Sequence, residues 1–363
     1  MRRPIDLLSA GELLVDFITA EFVQTLDEAT LFKRIPGGSP ANLAMNMARL
    51  GNKALLAASV GNDDMGTVLR NYVARIGVDV SYVAQVDEPT TLILVTRSAA
   101  VSNFQPYRGA DALLSIRQFP YQRFEEIGIF HTTCFGLSKQ PAQHVIMEAA
   151  EKARRAGCQI SVDANYAEKI WPDRREAQRL IAELCRLRAL VKISDVDWGR
   201  IYEDESPAPE AVIEHFLKMG ATEVCFTLGA EGCWVGNAQE QHYLPARQVE
   251  VKDTTGAGDA FWSGYLTARL DGKTPLECAT AGRRMAELKL GHFGPLPDQV
   301  DRDLIYADLE TVYPHVCQQP TRIFCPPRTL HQPPLGLPFC CAPVGSSVHT
   351  AAPAEPPRGV PTP

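Results

Sequence analysis

The chain has 363 residues, of which 45% are hydrophobic and 22% charged, and a formal net charge of −7. That is enough apolar material for one large domain or two ordinary ones, and neither the acidic balance nor any Lys/Arg cluster offers the basic face of a nucleic-acid binder. No apolar run reaches the roughly 18 residues that a membrane span needs, which sets a membrane partner aside. Asp6, Glu12 and Asp16 break the run that an export signal beginning at Arg2 and Arg3 would require, so the chain reads as cytoplasmic. Its ten cysteines agree with a reduced compartment: Cys134, Cys158, Cys185, Cys225, Cys233 and Cys278 stand singly among apolar neighbours, and no CxxC or HExxH spacing offers a zinc site.

The first predicted strand is Ile5-Asp6-Leu7-Leu8-Ser9-Ala10, which leads into Gly11-Glu12-Leu13-Leu14-Val15-Asp16-Phe17. A Gly-rich turn, Pro36-Gly37-Gly38-Ser39-Pro40, then opens a segment with Ala41, Ala44, Met45 and Ala48 on one side; closed by Gly51, it predicts an amphipathic helix. Short apolar strands follow at 54–60, 91–96, 127–131, 159–162, 190–193 and 224–228, with helices such as 142–156 and 176–188 between most of them. Strands alternating with helices of this length predict a parallel sheet covered by helices on both faces. From Cys317 the chain is Pro-rich and poor in charge, without helical or strand period, so residues 317–363 read as a disordered tail.

The most informative stretch is Asp253-Thr254-Thr255-Gly256-Ala257-Gly258-Asp259-Ala260-Phe261. Gly256 and Gly258 precede an apolar-periodic run through Phe261, Tyr265, Leu266 and Leu270, which places the turn at a helix N-terminus. Backbone N–H groups there lack intrahelical partners and the dipole adds positive character, so the turn suits phosphoryl oxygens. Asp259 falls in the first turn. An acid at that position can simply complement the dipole, but beside a phosphate site it makes chemical sense as a base that deprotonates an attacking hydroxyl. GxxxxGK[ST] and GxGxxG are absent, which removes the P-loop and dinucleotide-binding readings, and the absence of GxSxG weakens a serine-hydrolase reading.

The nonapeptide resembles the C-terminal signature of the ribokinase-like (PfkB) family of carbohydrate kinases. Gly37-Gly38-Ser39-Pro40-Ala41-Asn42-Leu43-Ala44 resembles the N-terminal signature. Gly61-Asn62-Asp63-Asp64-Met65-Gly66 and Thr227-Leu228-Gly229-Ala230-Glu231-Gly232 sit where the family has a Gly-x-Asp turn and a nucleotide-side loop. The resemblance implies a ribokinase-like three-layer α/β/α core over residues 1–316, with a mostly parallel sheet and a small β-sheet lid drawn from about 12–35 and 85–110. It also implies ATP-dependent phosphorylation of a sugar primary hydroxyl, and a homodimer through the lid.

In that scheme Asp259 is the general base, and the amides of Ala257, Gly258 and Asp259, beyond Gly256, form an anion hole. Mg²⁺ arrives with ATP and keeps much of its water. Asp253 and Thr255 match positions that hold a monovalent cation, K⁺, in several members. Thr227, Gly229 and Gly232 belong to the nucleotide side. On the sugar side stand Asp16, Gly38 and Asn42, although an Asp can also cap a turn and an Asn can satisfy backbone at a helix start. Arg108, within Phe104-Gln105-Pro106-Tyr107-Arg108-Gly109-Ala110-Asp111, is expected on the lid, where an Arg can fork onto a hydroxyl pair or a carboxylate, or stand as a solvated charge.

Two segments depart from the family pattern. Asp163-Ala164-Asn165-Tyr166-Ala167 resembles a family segment that puts Asp163 and Asn165 on the substrate side, but has Ala167 where an Arg is common. Ser194-Asp195-Val196-Asp197 replaces an Asn-x-x-Glu that organises Mg²⁺ and phosphate through water, and keeps Ser194 and Asp197 on the cofactor side with a shorter reach. Pro106 stands where 2-keto-3-deoxygluconate kinases tend to place a Tyr. The resemblance therefore points first to a neutral sugar, fructose, and next to a sugar acid such as 2-keto-3-deoxygluconate. A non-catalytic relative that binds sugar or nucleotide is the reading from another class, and retention of Asp259 argues against it.

Overall fold

The computed structural model describes residues 2–97, 103–171 and 173–309. The strands are β1 (Ile5–Ala10), β2 (Leu14–Phe22), β3 (Phe32–Gly37), β4 (Ala54–Gly61), β5 (Val83–Val86), β6 (Leu92–Arg97), β7 (Phe104–Tyr107), β8 (Ile127–Thr133), β9 (Gln159–Asp163), β10 (Leu190–Ser194), β11 (Glu223–Thr227), β12 (Gly232–Asn237) and β13 (Gln241–Pro245). The helices are α1 (Ser39–Arg49), α2 (Asp64–Ile76), α3 (Ala142–Arg155), α4 (Arg174–Arg186), α5 (Asp195–Tyr202), α6 (Pro209–Met219), α7 (Ala257–Leu270) and α8 (Pro275–Leu290). The predicted tail, 317–363, lies outside the described residues.

Nine strands form one sheet in the order β13-β12-β11-β10-β9-β8-β1-β4-β5. Pairing is parallel from β11 to β5 and antiparallel only in the β11-β12-β13 meander. Every residue of β1 and of β4 is buried, as expected for parallel strands covered on both faces. The period of two then divides each strand between two cores. Leu7, Ile129 and Leu190 face α1, α2, α7 and α8, while Leu8, Phe130 and Val191 face α3, α4, α5 and α6. The result is three layers, helix on sheet on helix. Among the described residues no helix is long and apolar enough to cross a membrane.

A second, four-stranded sheet has the order β3-β2-β6-β7. Leu14, Ile18, Ile35, Ile93 and Val95 form a small apolar cluster on one of its faces. Asp63 ties this sheet to the core: its carboxylate caps α2 at the Gly66 amide (2.8 Å) and also accepts from the Thr90 amide (2.8 Å), just ahead of β6. The Gly-x-Asp turn thus links the two sheets through one carboxylate.

Two of the parallel strands leave β1 in opposite directions across the sheet, β4 on one side and β8 on the other. Beyond the carboxyl ends of strands at such a reversal, loops diverge and leave a crevice for ligands. The α1 and α7 helices approach that crevice with their N-termini. Gly264 lets α7 lie close on α8, since a Cβ there would meet the Ala281 carbonyl oxygen at 2.6 Å.

Candidate active site

The start of α7 is set by Gly256, which caps the helix at φ 74°, ψ 9°, in the left-handed region that favours glycine. The Ala257 amide, expected in the anion hole, instead donates to the Thr254 carbonyl at 3.2 Å and closes the turn. The next two amides, of Gly258 and Asp259, have no acceptor among the described residues. Two amides rather than three are therefore left open at the positive end of the dipole.

Asp259 lies half-buried between two helix starts. Its Oδ1 accepts from Ser39 Oγ at 2.6 Å and its Oδ2 from Asn42 Nδ2 at 2.9 Å. Burial raises its pKa; these two hydrogen bonds and the charges of Lys192 and Lys289 oppose the rise without cancelling it. The α1 start is held in place by Gly38, at φ 99°, where a Cβ would lie 2.4 Å from the Glu12 carbonyl oxygen. Glu12 Oε1 also accepts from the Ser39 amide at 2.9 Å, and burial pushes this carboxyl up to about 8.

Asp16, Asn42, Asp253, Thr255, Gly256 and Lys289 line one cleft beneath the small sheet. Burial, followed by the charges of Asp259 and Asp253, pushes Asp16 up to about 7. Asp253 is different. Its Oδ1 accepts from the Thr255 amide at 3.0 Å, and its Oδ2 accepts from Lys289 Nζ and the Gly294 amide, each at 3.2 Å. Burial alone would raise it, but Lys289 and these amides outweigh burial and hold it below the usual carboxylate range. The expectation that Asp253 and Thr255 hold a monovalent cation does not fit this geometry, because an ammonium already stands against the carboxylate.

Lys192, in the apolar strand β10, donates to Asp163 Oδ2 at 2.8 Å on the neighbouring β9. Its Nζ lies 3.3 Å from where a Gly258 Cβ would be, so a side chain at 258 would crowd the charge against the turn. Burial pushes Asp163 up to about 6 against the pull of Lys192. The other oxygen, Oδ1, is buried and has no partner among the described residues. Asn165, just past β9, is exposed at φ 31°.

The remaining expected residues fall elsewhere. Arg108 is not offered to a ligand: its side chain is 5% exposed, forks onto Asp111 with Nε at 2.9 Å, and stacks on Phe135 at 4.4 Å. A buried acid three positions away partners the guanidinium, so the structure gives Arg108 an internal ion pair where a sugar contact was expected. Asp197 is also engaged, with Oδ1 accepting from the Tyr166 amide at 2.8 Å and Oδ2 from Ser194 Oγ at 2.6 Å in a capping box for α5. Both oxygens thus have partners within the chain, at the position where a contact to a hydrated ion was expected. Ser194 and Thr227 stand side by side in register at the carboxyl ends of β10 and β11. Gly229 and Gly232 flank the following turn, and a Cβ at Gly232 would meet the Leu244 carbonyl oxygen at 2.1 Å.

Four site residues had no assigned role in the sequence reading: Lys192, Lys289, Glu12 and Ser39. A lysine inside an otherwise apolar strand is a legible anomaly and could have flagged Lys192. Lys289 looks like any basic residue in a last helical turn, and nothing local marks it.

Comparison with known proteins identifies the family. A family model described as pfkB family carbohydrate kinase matches residues 5–301. The ATP-dependent 6-phosphofructokinase of Thermoanaerobacterium thermosaccharolyticum is 32% identical over 300 residues, covering 83% of this chain and 92% of that protein. The solved fructokinase of Halothermothrix orenii is 31% identical, with a TM-score of 0.66 over 80% of this chain and 99% of that one. A fructokinase double mutant from Vibrio cholerae O395, solved with fructose, ADP and potassium ion, shares the fold at a TM-score of 0.73 and 22% identity, over 85% of this chain and 99% of that one. With the family model spanning nearly all of the described residues, the chain belongs to the pfkB family of carbohydrate kinases.

Proposed function

We propose that this chain transfers the γ-phosphoryl group of ATP to the primary hydroxyl of a ketohexose, fructose first. The observation that carries the reading is the Asp259 carboxylate, held by Ser39 and Asn42 beside two amides that have no acceptor among the described residues. Each carboxylate oxygen accepts one hydrogen bond and keeps lone-pair capacity for a further donor. Asp259 takes the hydroxyl proton as the new O–P bond forms; the bond to the β,γ-bridging oxygen breaks, and ADP leaves with those electrons. The Gly258 and Asp259 amides, with Lys192 beside them, stabilise the charge on the migrating group. Asp16 accepts a sugar hydroxyl, with Gly38 and Asn42 shaping the same side. Thr227, Ser194, Gly229 and Gly232 hold the nucleotide beyond the strand ends.

Mg²⁺ fits at Asp163, whose buried Oδ1 lacks a partner among the described residues, with Asn165 near it in sequence. Asp163 would hold the ion through its water shell, and the ion when bound offsets the charge of the ATP phosphates. Residues 1–316 make up the kinase unit. The small sheet covers the sugar and pairs two subunits, which is supported by exposed Phe22, Leu31 and Tyr107 on it (59%, 62% and 58%).

A second reading is fructose 6-phosphate. Lys33 lies opposite Ile18 on β3, and Arg97 follows Ile93 and Val95 in alternation on β6, which puts two cations on the face of the small sheet that carries Asp16. A phosphorylated sugar needs such charges, and the Thermoanaerobacterium relative bears that activity in its name. A sugar acid is less favoured, because Arg108 is paired internally.

A coupled ADP-release assay over fructose, fructose 6-phosphate, 2-keto-3-deoxygluconate and a nucleoside tests the proposal. Fructose-dependent turnover is expected. Absence of ADP release with every acceptor, from folded protein, would overturn it in favour of a binding protein.

A further inference from the structure

Lys289 occupies an unusual place. It ends α8, where the helix dipole favours a cation, and its side chain is only 9% exposed. Its Nζ lies 3.2 Å from Asp253 Oδ2 and 3.4 Å from the His292 carbonyl oxygen. A carboxylate and a main-chain carbonyl are the oxygen donors that a monovalent ion would take. The side chain runs along the phosphate-binding turn, with Cε 3.8 Å from the Cβ position of Gly256, and its charge reaches Asp259. The Vibrio cholerae fructokinase shares this fold and was solved with a potassium ion bound. Here the Asp253 carboxylate already receives an ammonium and two amides.

We propose that Lys289 is a tethered cation, a positioning residue whose ammonium stands beside the Gly256 turn in place of a free monovalent ion, so that this kinase works without K⁺. The inference rests on the kinase reading above. An ammonium and a potassium ion are similar in size and seek the same oxygen ligands, so one can replace the other without rebuilding the loop. A buried ion pair contributes little stability for its desolvation cost, which makes a role at the turn the better account of why it is there. A free cation entering the same site would face the charge of Lys289 at contact distance.

The test compares the parent protein with Lys289→Met in buffers whose only cation is tetramethylammonium, then with K⁺, NH₄⁺ or Li⁺ added. The parent is expected to turn over at the same rate with and without K⁺. Lys289→Met is expected to lose about 10²-fold in kcat without K⁺, the usual cost of removing an electrostatic stabiliser, and to recover most of it with K⁺ or NH₄⁺ but not Li⁺. Without substrates, K⁺ should raise the Tm of Lys289→Met by about 2 °C or more and leave the parent unchanged. If Lys289→Met does not fold, as circular dichroism will tell, Lys289→Gln carries the same comparison. Activation of the parent by K⁺, a variant fully active without K⁺, or a folded variant that no cation rescues would each overturn the proposal. Should no acceptor be phosphorylated at all, the kinase reading fails, and the Tm comparison alone still decides whether K⁺ enters only when the lysine is gone.

Discussion

The Ser39 hydroxyl donates to the Asp259 carboxylate at 2.6 Å across 220 positions of chain, joining the first turn of α1 to the first turn of α7. Asn42 adds a second bond from the same helix. Two helix N-termini therefore converge on one carboxylate and favour its charged form against the burial that raises its pKa.

Asp259→Asn is expected to lower kcat by roughly 10²–10⁴ with KM for ATP nearly unchanged. Ser39→Ala leaves the base in place and should lower kcat by only about tenfold, while moving the acidic limb of the kcat–pH profile upward, because a bond to the charged form is lost. Steady-state kinetics across pH checks both. A fall in kcat for Ser39→Ala with no movement of the profile would make Ser39 a packing residue.

Asp16 offers a stability test with an unusual sign. Its carboxyl is pushed up to about 7, above the value in an unfolded chain, so the folded protein binds more protons through that interval. Stability contributed by this group is then lost as pH rises from about 4 toward neutrality. Asp16→Asn should be more stable than the parent by on the order of 1–2 kcal/mol at about pH 8, with no gain at about pH 4. Its KM for sugar should rise about tenfold or more, since a hydroxyl acceptor is lost. Melting curves at the two pH values check the first part; equal differences at both would refute it.

Phe293 couples the small sheet to the segment that follows α8. Lys33 and Arg97 stack on its ring, with centroid distances of 4.5 Å and 4.3 Å, and the Arg97 guanidinium also donates to the Lys252 carbonyl at 3.1 Å. The flanking residues are His292 and Gly294, whose backbone groups meet Lys289 and Asp253. Phe293→Leu keeps apolar bulk but removes the π face, worth about 0.5–1 kcal/mol per cation. The expected result is a KM for sugar raised about three- to tenfold with kcat little changed. An unchanged KM would mean that the sheet is held by its other contacts.

Residues 317–363 are predicted to contribute nothing to the folded unit, because their composition offers too little apolar surface to offset ordering entropy. Truncation after Val316 should leave Tm and kcat/KM as they are in the full chain. A drop in either quantity, measured side by side, would assign the segment a structural or functional role.

The glycine turn before Asp259, the Gly38–Asn42 helix start and the alternation of strands with helices were legible in the sequence, because each depends on local rules: φ above zero, unpaired amides in a first helical turn, and a period of two or 3.6. The same local rules also promised too much. They offered the Ala257 amide to a phosphate, although a turn takes it; the family resemblance offered Arg108 and Asp197 to ligands, and the structure gives these side chains partners in Asp111 and the Ser194 cap. Who partners a charged group depends on which strands lie side by side and which helix ends face each other. Lys192 meets Asp163 because β9 and β10 are neighbours, and Lys289 meets Asp253 because the end of α8 returns to the turn before α7. Those encounters span 29 and 36 positions, and the low dielectric of the interior makes each one decisive for charge. Sequence determined where the chemistry could reside; tertiary packing decided which side chains remain free to perform it.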